Sequence, residues 1–118
     1  MTTTNVLTTF DGLLEELYTT AIDVQNAIYN REGEKLQSRL DTLWNRTTDV
    51  KRRALEDCTN GKVCWIESIA VSAAGAIGHN AVDYRYDGSK RIDVLTNIDT
   101  QLNILRSTCK LAEELELH

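Results

Sequence analysis

Residues 10–28 have the sequence FDGLLEELYTTAIDVQNAI, in which apolar side chains recur at alternating intervals of four and three residues. The members of this series are Phe10, Leu14, Leu17, Ala21, Val24 and Ile28. An α-helix has about 3.6 residues per turn, so this spacing places all six side chains on one face. The stretch therefore predicts an amphipathic helix, with Thr8 as its N-cap, Asp11 in its first turn and Gly33 as the left-handed cap that follows it.

The same spacing occurs in two later segments, which predict a second helix over 34–58 and a last helix from Ile92 nearly to the end of the sequence. Turn residues follow the second predicted helix at Thr59–Gly61 and precede the last one at Asp87–Ser89. Acidic side chains near the end of the last helix oppose the helix dipole, so this end is expected to fray. The two apolar series are Leu36, Leu40, Leu43, Thr47, Val50, Ala54, Cys58 and Ile92, Leu95, Ile98, Leu102, Leu105, Cys109, Ala112.

Residues 63–82, VCWIESIAVSAAGAIGHNAV, are apolar almost all round and rich in small side chains. The segment is too long for one strand and does not alternate strictly, so it predicts a helix. A helix that is apolar on every side is usually buried, which predicts a central, heavily buried position. Ser68, Ser72 and Gly75 form a smooth ridge against which a neighbouring helix is expected to pack. A break near Gly78 is the alternative, because glycine inside a helix costs about 1 kcal/mol relative to alanine.

Four helices joined by three short turns predict an all-α, antiparallel, up-down-up-down four-helix bundle that forms one domain over residues 1–118. With 42% hydrophobic residues and a net charge of −5, the composition excludes a disordered chain. No apolar run reaches the roughly eighteen residues of a transmembrane helix, and the first residues, MTTTN, lack the pattern of a signal peptide. We therefore expect a cytoplasmic protein that does not contact a membrane.

The charge of the chain bears on its binding to nucleic acid, and its cysteine content bears on its redox compartment. The acidic chain disfavours non-specific binding to DNA, whose phosphates attract positive charge, and only residues 31–62 are net basic. Cys58, Cys64 and Cys109 have no metal-ligand spacing, and a disulfide between Cys58 and Cys64 requires an oxidising compartment. We expect three reduced thiols, with Cys109 in the core as a small hydrophobic residue.

Familiar catalytic and metal-binding motifs are absent from the sequence, which has no glycine-rich phosphate loop, no His-Glu-x-x-His and no Glu-x-x-His pair. We therefore predict no enzyme activity, no metal and no cofactor. A lesser alternative is a carboxylate–metal nucleotide hydrolase, which needs acidic side chains that converge on one inner face. For the acidic residues of the first helix, a solvated helix face is the favoured interpretation. For Glu67, which stands in the apolar third segment, a structural partner from a neighbouring helix is favoured. His79 and Asp83, four residues apart, predict a structural or pH-sensing contact rather than a general base. The acidic candidates are Glu15, Glu16, Asp23 and Glu67.

Arg39, Arg46 and Arg53 recur every seven residues and form one stripe on the second predicted helix. Such a stripe suits RNA phosphates or an acidic partner helix. Asp49 and Asp57 stand three or four residues from these arginines, so ion pairs within the helix are the favoured interpretation.

The last predicted turn combines two tyrosines with three basic side chains. Tyrosine and arginine often dominate the binding energy at protein surfaces, so this tip is a candidate contact for a protein or RNA partner. The alternative is that one tyrosine caps the core and the others are solvated. The residues of the tip are Tyr84, Arg85, Tyr86, Lys90 and Arg91.

The segments Asp99–Arg106 and Lys110–Leu115 resemble a helix of the small four-helix-bundle proteins related to reverse-transcriptase accessory subunits. The resemblance covers a small part of the chain and implies a bundle that binds nucleic acid. Those proteins are usually basic, whereas this chain is acidic, so no functional residue is carried over.

The sequence therefore predicts a small, non-enzymatic interaction protein, an adaptor or regulator of bacterial or phage type. It is expected to bind a protein partner or to form a homo-oligomer. The alternative is an RNA-associated accessory bundle that uses the arginine stripe of the second helix.

Overall fold

The structure, a computed structural model, describes residues 9–57 and 59–118. Four α-helices follow one another in this part of the chain: α1 (Phe10–Tyr29), α2 (Gly33–Glu56), α3 (Gly61–Tyr86) and α4 (Arg91–Glu114), with one 3-10 turn at Gly88–Lys90. Short connections make sequential helices antiparallel, and each helix contacts the next, with α4 returning to α1. The predicted all-α four-helix bundle is confirmed. None of the described helices is long and apolar enough to cross a membrane.

The first helix begins one residue later than the sequence predicts. Thr9 is the N-cap, and its side chain accepts a hydrogen bond of 3.1 Å from the backbone N–H of Gly12. The Asp11 carboxylate accepts from the same N–H at 3.0 Å. An N-cap oxygen reaches the donors two or three residues ahead, which makes Thr9 the cap of a helix that starts at Phe10. The predicted cap, Thr8, lies outside the described residues.

Two helices end in a left-handed residue that is not glycine. Arg31, with φ of 58°, follows α1, and the N–H of Glu32 returns to the carbonyl of Ala27 at 2.8 Å. The prediction that Gly33 provides this cap is wrong, because Gly33 already begins α2. Glu116, with φ of 55°, follows α4 in the same way. Both ends are Schellman motifs, in which outer N–H groups pair with the last helical carbonyls.

The expected fraying of α4 is therefore wrong. Leu117 donates its backbone N–H to the carbonyl of Ala112 at 2.9 Å, and its side chain is buried. Its own carbonyl accepts from the N–H of Asp11 at 3.1 Å, which joins this end of the bundle to the start of α1. The hydrogen bonds and the buried leucine outweigh the unfavourable charge of the acidic last turn.

The core contains most of the apolar positions that the helical spacing selects on α1, α2 and α4, together with one side of α3. Ile92, the first member of the α4 series, is an exception: it is 74% exposed, and Val94 is buried near it instead. Thr47, the one polar member of the α2 series, is buried and donates its hydroxyl to the carbonyl of Leu43 at 2.8 Å. Cys109 is also buried, as predicted, and its thiol lies 3.4 Å from the carbonyl oxygen of Leu14. A satisfied hydroxyl or thiol costs little in a core, so the polar positions do not interrupt the packing.

The bundle is flattened rather than square in cross-section. The Cα atoms extend 44 Å along the bundle, 30 Å across it and 20 Å through it. Consistent with this shape, α1 and α3 contact each other across the bundle, whereas α2 and α4 do not touch within the described residues. As a result α3 occupies the middle of one wide side of the bundle, with α2 and α4 on its two flanks. We call this the α3 side.

The central, heavily buried position predicted for the third helix is wrong in part. The helix exists, runs through Gly78 without a break and spans Gly61–Tyr86. Its buried residues lie on one side only, because each helix of a four-helix bundle has an outer surface. Its other side faces solvent and carries Ser68, Ser72 and His79 as well as Trp65.

Candidate interaction surface

The outer surface of α3 is exposed, and its middle stretch is uncharged. Residues 68–82 contain no Asp, Glu, Lys or Arg, although charged residues make up 26% of the chain. Ser68 and Ser72 are exposed, and a Cβ added at Gly75 would meet no atom within 4 Å. The ridge of small side chains therefore faces solvent, and the prediction that a neighbouring helix packs on it is wrong. At the end of this stretch His79 and Asp83 are both exposed, and in the described structure they do not hydrogen-bond to each other.

Between α3 and α4 the surface deepens into an apolar groove, which we call the α3–α4 groove. Two adjoining cavities of about 340 and 490 Å³ form it, and both are lined by Ile69 and Ile104. Trp65 and Leu111 line one end, and its other end is lined by small or amide side chains such as Ala76. None of the lining residues is charged. Trp65 remains 55% exposed, an unusually open position for a tryptophan.

Beyond the uncharged crest of α3, where Ser68 and Ser72 are exposed, the other flank of α3 meets α2. The Trp44 indole lies against Gly78, so closely that a Cβ at this glycine would approach the ring carbon Cζ2 to 2.8 Å. The Trp44 side chain is 42% exposed. Leu55, eleven residues later and hence on the same face of α2, is largely exposed. The α3 side thus carries exposed large apolar side chains on both flanks of a smooth, uncharged ridge.

The structure places the five tip residues in different environments. Tyr84 is half-buried and packs against the core, whereas Tyr86 is 89% exposed. Arg85 donates from Nη1 to the Gln37 side-chain oxygen, which joins the end of α3 to α2. Lys90 is exposed at the end of the 3-10 turn. The tip therefore presents Tyr86 and Lys90 to solvent, while Tyr84 contributes to the core.

Two contacts brace this turn against the rest of the bundle. Arg91 donates to the last carbonyls of α1, from Nη2 to Tyr29 at 2.6 Å and from Nε to Ile28 at 3.3 Å, and its guanidinium lies 5.7 Å from the centre of the Tyr29 ring. The Asp87 carboxylate accepts from the hydroxyl of Ser89 at 2.6 Å and from its backbone N–H at 3.0 Å. These hydrogen bonds, with the nearby charge of a lysine, lower the pKa of Asp87. Arg91 also places a positive charge at the C-terminal end of α1, which the dipole of that helix favours.

The arginine stripe of α2 is largely engaged within the bundle. The Nη2 atom of Arg46 lies 3.4 Å from Oδ2 of Asp49, which makes an ion pair within α2. Arg53 lies 3.8 Å from each of two acidic side chains that follow it, and it donates to the carbonyl of His118 at 2.9 Å. Arg39 is exposed, and it makes no hydrogen bond or ion pair within the described residues. The stripe thus presents one unpaired guanidinium rather than three.

The four acidic candidates do not converge. Glu15 is exposed, and Glu16 and Asp23 are half-buried, all on α1. Glu67 is half-buried on α3, eleven residues before Gly78 and hence on the flank that faces α2. Among the described residues no group of three or more His, Cys, Asp or Glu side chains is arranged to hold a metal ion.

The cysteines occupy separate positions. Cys109 is buried, and burial, with the charges of two nearby glutamates, raises the pKa of its thiol to about 12. Cys64 is exposed at the start of α3. Cys58 lies outside the described residues, so the predicted absence of a bond between Cys58 and Cys64 stays a prediction.

Sequence reasoning did not identify the α3–α4 groove, although two signals for it were present. The first is the run of fifteen residues without a charge in a chain rich in charge. The second is Trp65, which stands outside the helical spacing of the buried residues Val63, Ile66 and Ala70. The prediction of a buried position covers this whole segment, because periodicity does not distinguish a covered apolar face from an uncovered one.

Comparison of this chain with protein-family models, with characterised proteins and with solved structures gives no match.

Proposed function

We propose that this protein is a small, non-enzymatic interaction protein that binds another protein surface through its α3 side. The observation that carries the proposal is the exposed, charge-free stretch of α3 over residues 68–82 with the α3–α4 groove beside it. Contiguous exposed apolar patches are costly for a monomer in water and mark binding sites. The centres of protein interfaces are depleted in charge and enriched in aromatic side chains, as this surface is. Adaptor or regulator roles and a cytoplasmic location stay predictions.

The groove supplies the kind of contact that dominates such binding. Trp65 and Ile104 stand partly exposed at its walls, and they lose the remaining contact with water when a partner covers them. Burial of apolar surface contributes about 25 cal/mol per Å², so two such side chains supply a few kcal/mol. The small side chains of Ser68 and Ser72 let a partner backbone approach α3 closely.

The tip residues are a second part of the proposed surface. Tyr86 and Lys90 are exposed at the end of α3, close to the α3 side in sequence and in space. Arg85 and Arg91 already contact α2 and α1, so we propose that they hold the tip in place and that Tyr86 makes the contact with a partner.

The alternative function, RNA binding through the stripe of Arg39, Arg46 and Arg53, has less support. Phosphate binding needs guanidinium groups that are available to the ligand, and two of these three contact acidic side chains of the bundle. If RNA binds there, its affinity falls steeply with salt and the Arg39→Ala change reduces the salt slope. The absence of RNA binding at low salt would remove this alternative.

Affinity capture with three versions of the chain tests the proposal. The Ser72→Arg variant places a charge in the middle of the α3 side, whereas Ser38→Arg makes the same change at an exposed position of α2 that points away from the core and from α3. We expect the native chain and Ser38→Arg to capture the same proteins from cells that express it, and Ser72→Arg to lose them at least tenfold, the effect of a disrupted binding centre. Equal capture by all three versions would contradict the proposal.

A further inference from the structure

We infer that the partner on the α3 side is a second copy of this chain, packed with its own α3 antiparallel to the first across a twofold axis near Ser72. This inference deepens the proposed function and rests on it. It names the occupant of the α3 side, whereas the proposed function requires only that some protein surface covers that side.

The size of the α3 side fits a dimer. With its 26 residues α3 is about 39 Å long, and with the adjoining flanks of α2 and α4 it presents a face about 20 Å wide. A second copy on this face covers roughly 800 Å² of each chain, which gives a total within the range of about 1,200–2,000 Å² for stable interfaces. A single bound helix would fill the α3–α4 groove and leave the α2 flank, with Trp44 and Leu55, exposed.

The charge distribution also favours a second copy. Each chain carries a net charge of −5, so two copies repel at long range and most relative orientations bring acidic side chains together. The stretch of α3 from Ser68 to Val82 carries no acidic or basic side chain, and neither does the lining of the groove. Along this stretch two copies therefore meet without a like-charge contact, and the acidic side chains of α3, Glu67 and Asp83, lie outside it.

The order of large and small residues along α3 is self-complementary. A twofold axis at Ser72 sets each residue opposite the one that lies equally far on the other side of Ser72. Ile69 then meets Gly75, and Ser68 meets Ala76, so that in the turns around the axis each side chain faces a small one. Trp65 comes to lie opposite His79, and both of these side chains are exposed. Isologous dimers require this kind of surface, because the same patch supplies both the protrusion and the recess.

Sedimentation velocity of the purified chain, from low to several hundred micromolar, tests the inference. We expect the mass to rise from 13.3 kDa to twice that value for the native chain and for Ser38→Arg. We expect Ser72→Arg to stay at 13.3 kDa, with a dissociation constant raised at least tenfold. Equal thermal transitions of the two variants by circular dichroism show that both fold. A native chain that remains a monomer throughout, or a Ser72→Arg variant that dimerises like it, would overturn the inference.

A disulfide test locates the axis. The twofold axis places Ser72 of each copy opposite itself, so Ser72→Cys forms a disulfide between two copies under mild oxidation, and peptide mapping finds the two identical peptides joined. The matched variant Ser38→Cys, with the same native cysteines, does not form this bond. A native dimer without the Ser72 link would overturn the proposed packing.

These results separate the inference from the proposed function. If the native chain is a monomer while Ser72→Arg still abolishes the capture of another protein, the second copy is wrong and the proposed function stands. If Ser72→Arg alters neither the mass nor the capture, both fail.

Discussion

Replacing Gly78 by alanine tests the closest contact on the α3 side. A Cβ at this position would lie 2.8 Å from Cζ2 and 2.9 Å from Cη2 of Trp44, well inside van der Waals contact. The helix is continuous through Gly78, so the substitution leaves the backbone where it is and the indole has to move. Gly75, three residues earlier in the same helix, has no atom within 4 Å of an added Cβ and provides the matched control.

Two effects of opposite sign act at Gly78. Alanine in place of glycine inside a helix stabilises the folded state by about 1 kcal/mol. Overpacking costs about 1–3 kcal/mol, and we take roughly 2 here because Trp44 is partly exposed and can yield at the surface. We therefore expect Gly78→Ala to lower the free energy of unfolding by about 1 kcal/mol and Gly75→Ala to raise it by about the same amount. For a chain of this length 1 kcal/mol corresponds to roughly 4 °C in Tm.

Urea unfolding of both variants at one low micromolar concentration, where self-association contributes least, measures this difference of about 2 kcal/mol. The same two substitutions in a Trp44→Ala background separate the contribution of the indole from that of the helix backbone. Without the indole, Gly78→Ala should raise the free energy of unfolding as Gly75→Ala does. The reasoning is refuted if Gly78→Ala and Gly75→Ala stabilise the native chain equally, since the indole would then leave Gly78 at no cost.

The remaining predictions concern the tip and the thiols. Arg91→Ala removes both hydrogen bonds to the last carbonyls of α1, and we expect a loss of about 1–2 kcal/mol in urea unfolding; an unchanged midpoint would show that water replaces the guanidinium. Tyr86→Ala should weaken partner capture or self-association at least tenfold with a nearly constant Tm, because this side chain is 89% exposed, whereas a large fall in Tm with binding retained would assign Tyr86 to stability alone. Burial raises the pKa of the Cys109 thiol from 9.0 to about 12, so the folded chain keeps this proton above pH 9 whereas the unfolded chain loses it. The free energy of unfolding should therefore fall between pH 9 and 12, and this contribution should disappear in Cys109→Ala. At pH 8 a thiol reagent should modify exposed Cys64 well before Cys109, and equal rates would contradict the burial.

Most of the candidate surface was present in the sequence without being recognisable as a surface. The tip stood out by composition, and the structure leaves Tyr86 exposed while Tyr84 packs on the core. The seven-residue spacing of the arginine stripe is visible in the sequence. The hydrogen bond that Arg53 donates to the carbonyl of His118 is not, because these two residues are 65 positions apart. Contacts over such a distance in sequence depend on the packing of the helices, and no local pattern contains them.

The sequence by itself determined the four helices, since the three-and-four spacing of apolar residues and the turn residues between segments act within one or two turns. It also determined the buried face of α1, α2 and α4, because each of these helices has one apolar stripe. For α3 it determined the helix and not the side that is covered, since apolar residues surround it. Only the tertiary structure decided that side: α1 and α3 meet across a flattened bundle, so one face of α3 packs on the core and Trp65, Ser68 and Ser72 remain in solvent. Burial is a property of what lies opposite a residue, and for this helix that depends on the packing of the other three.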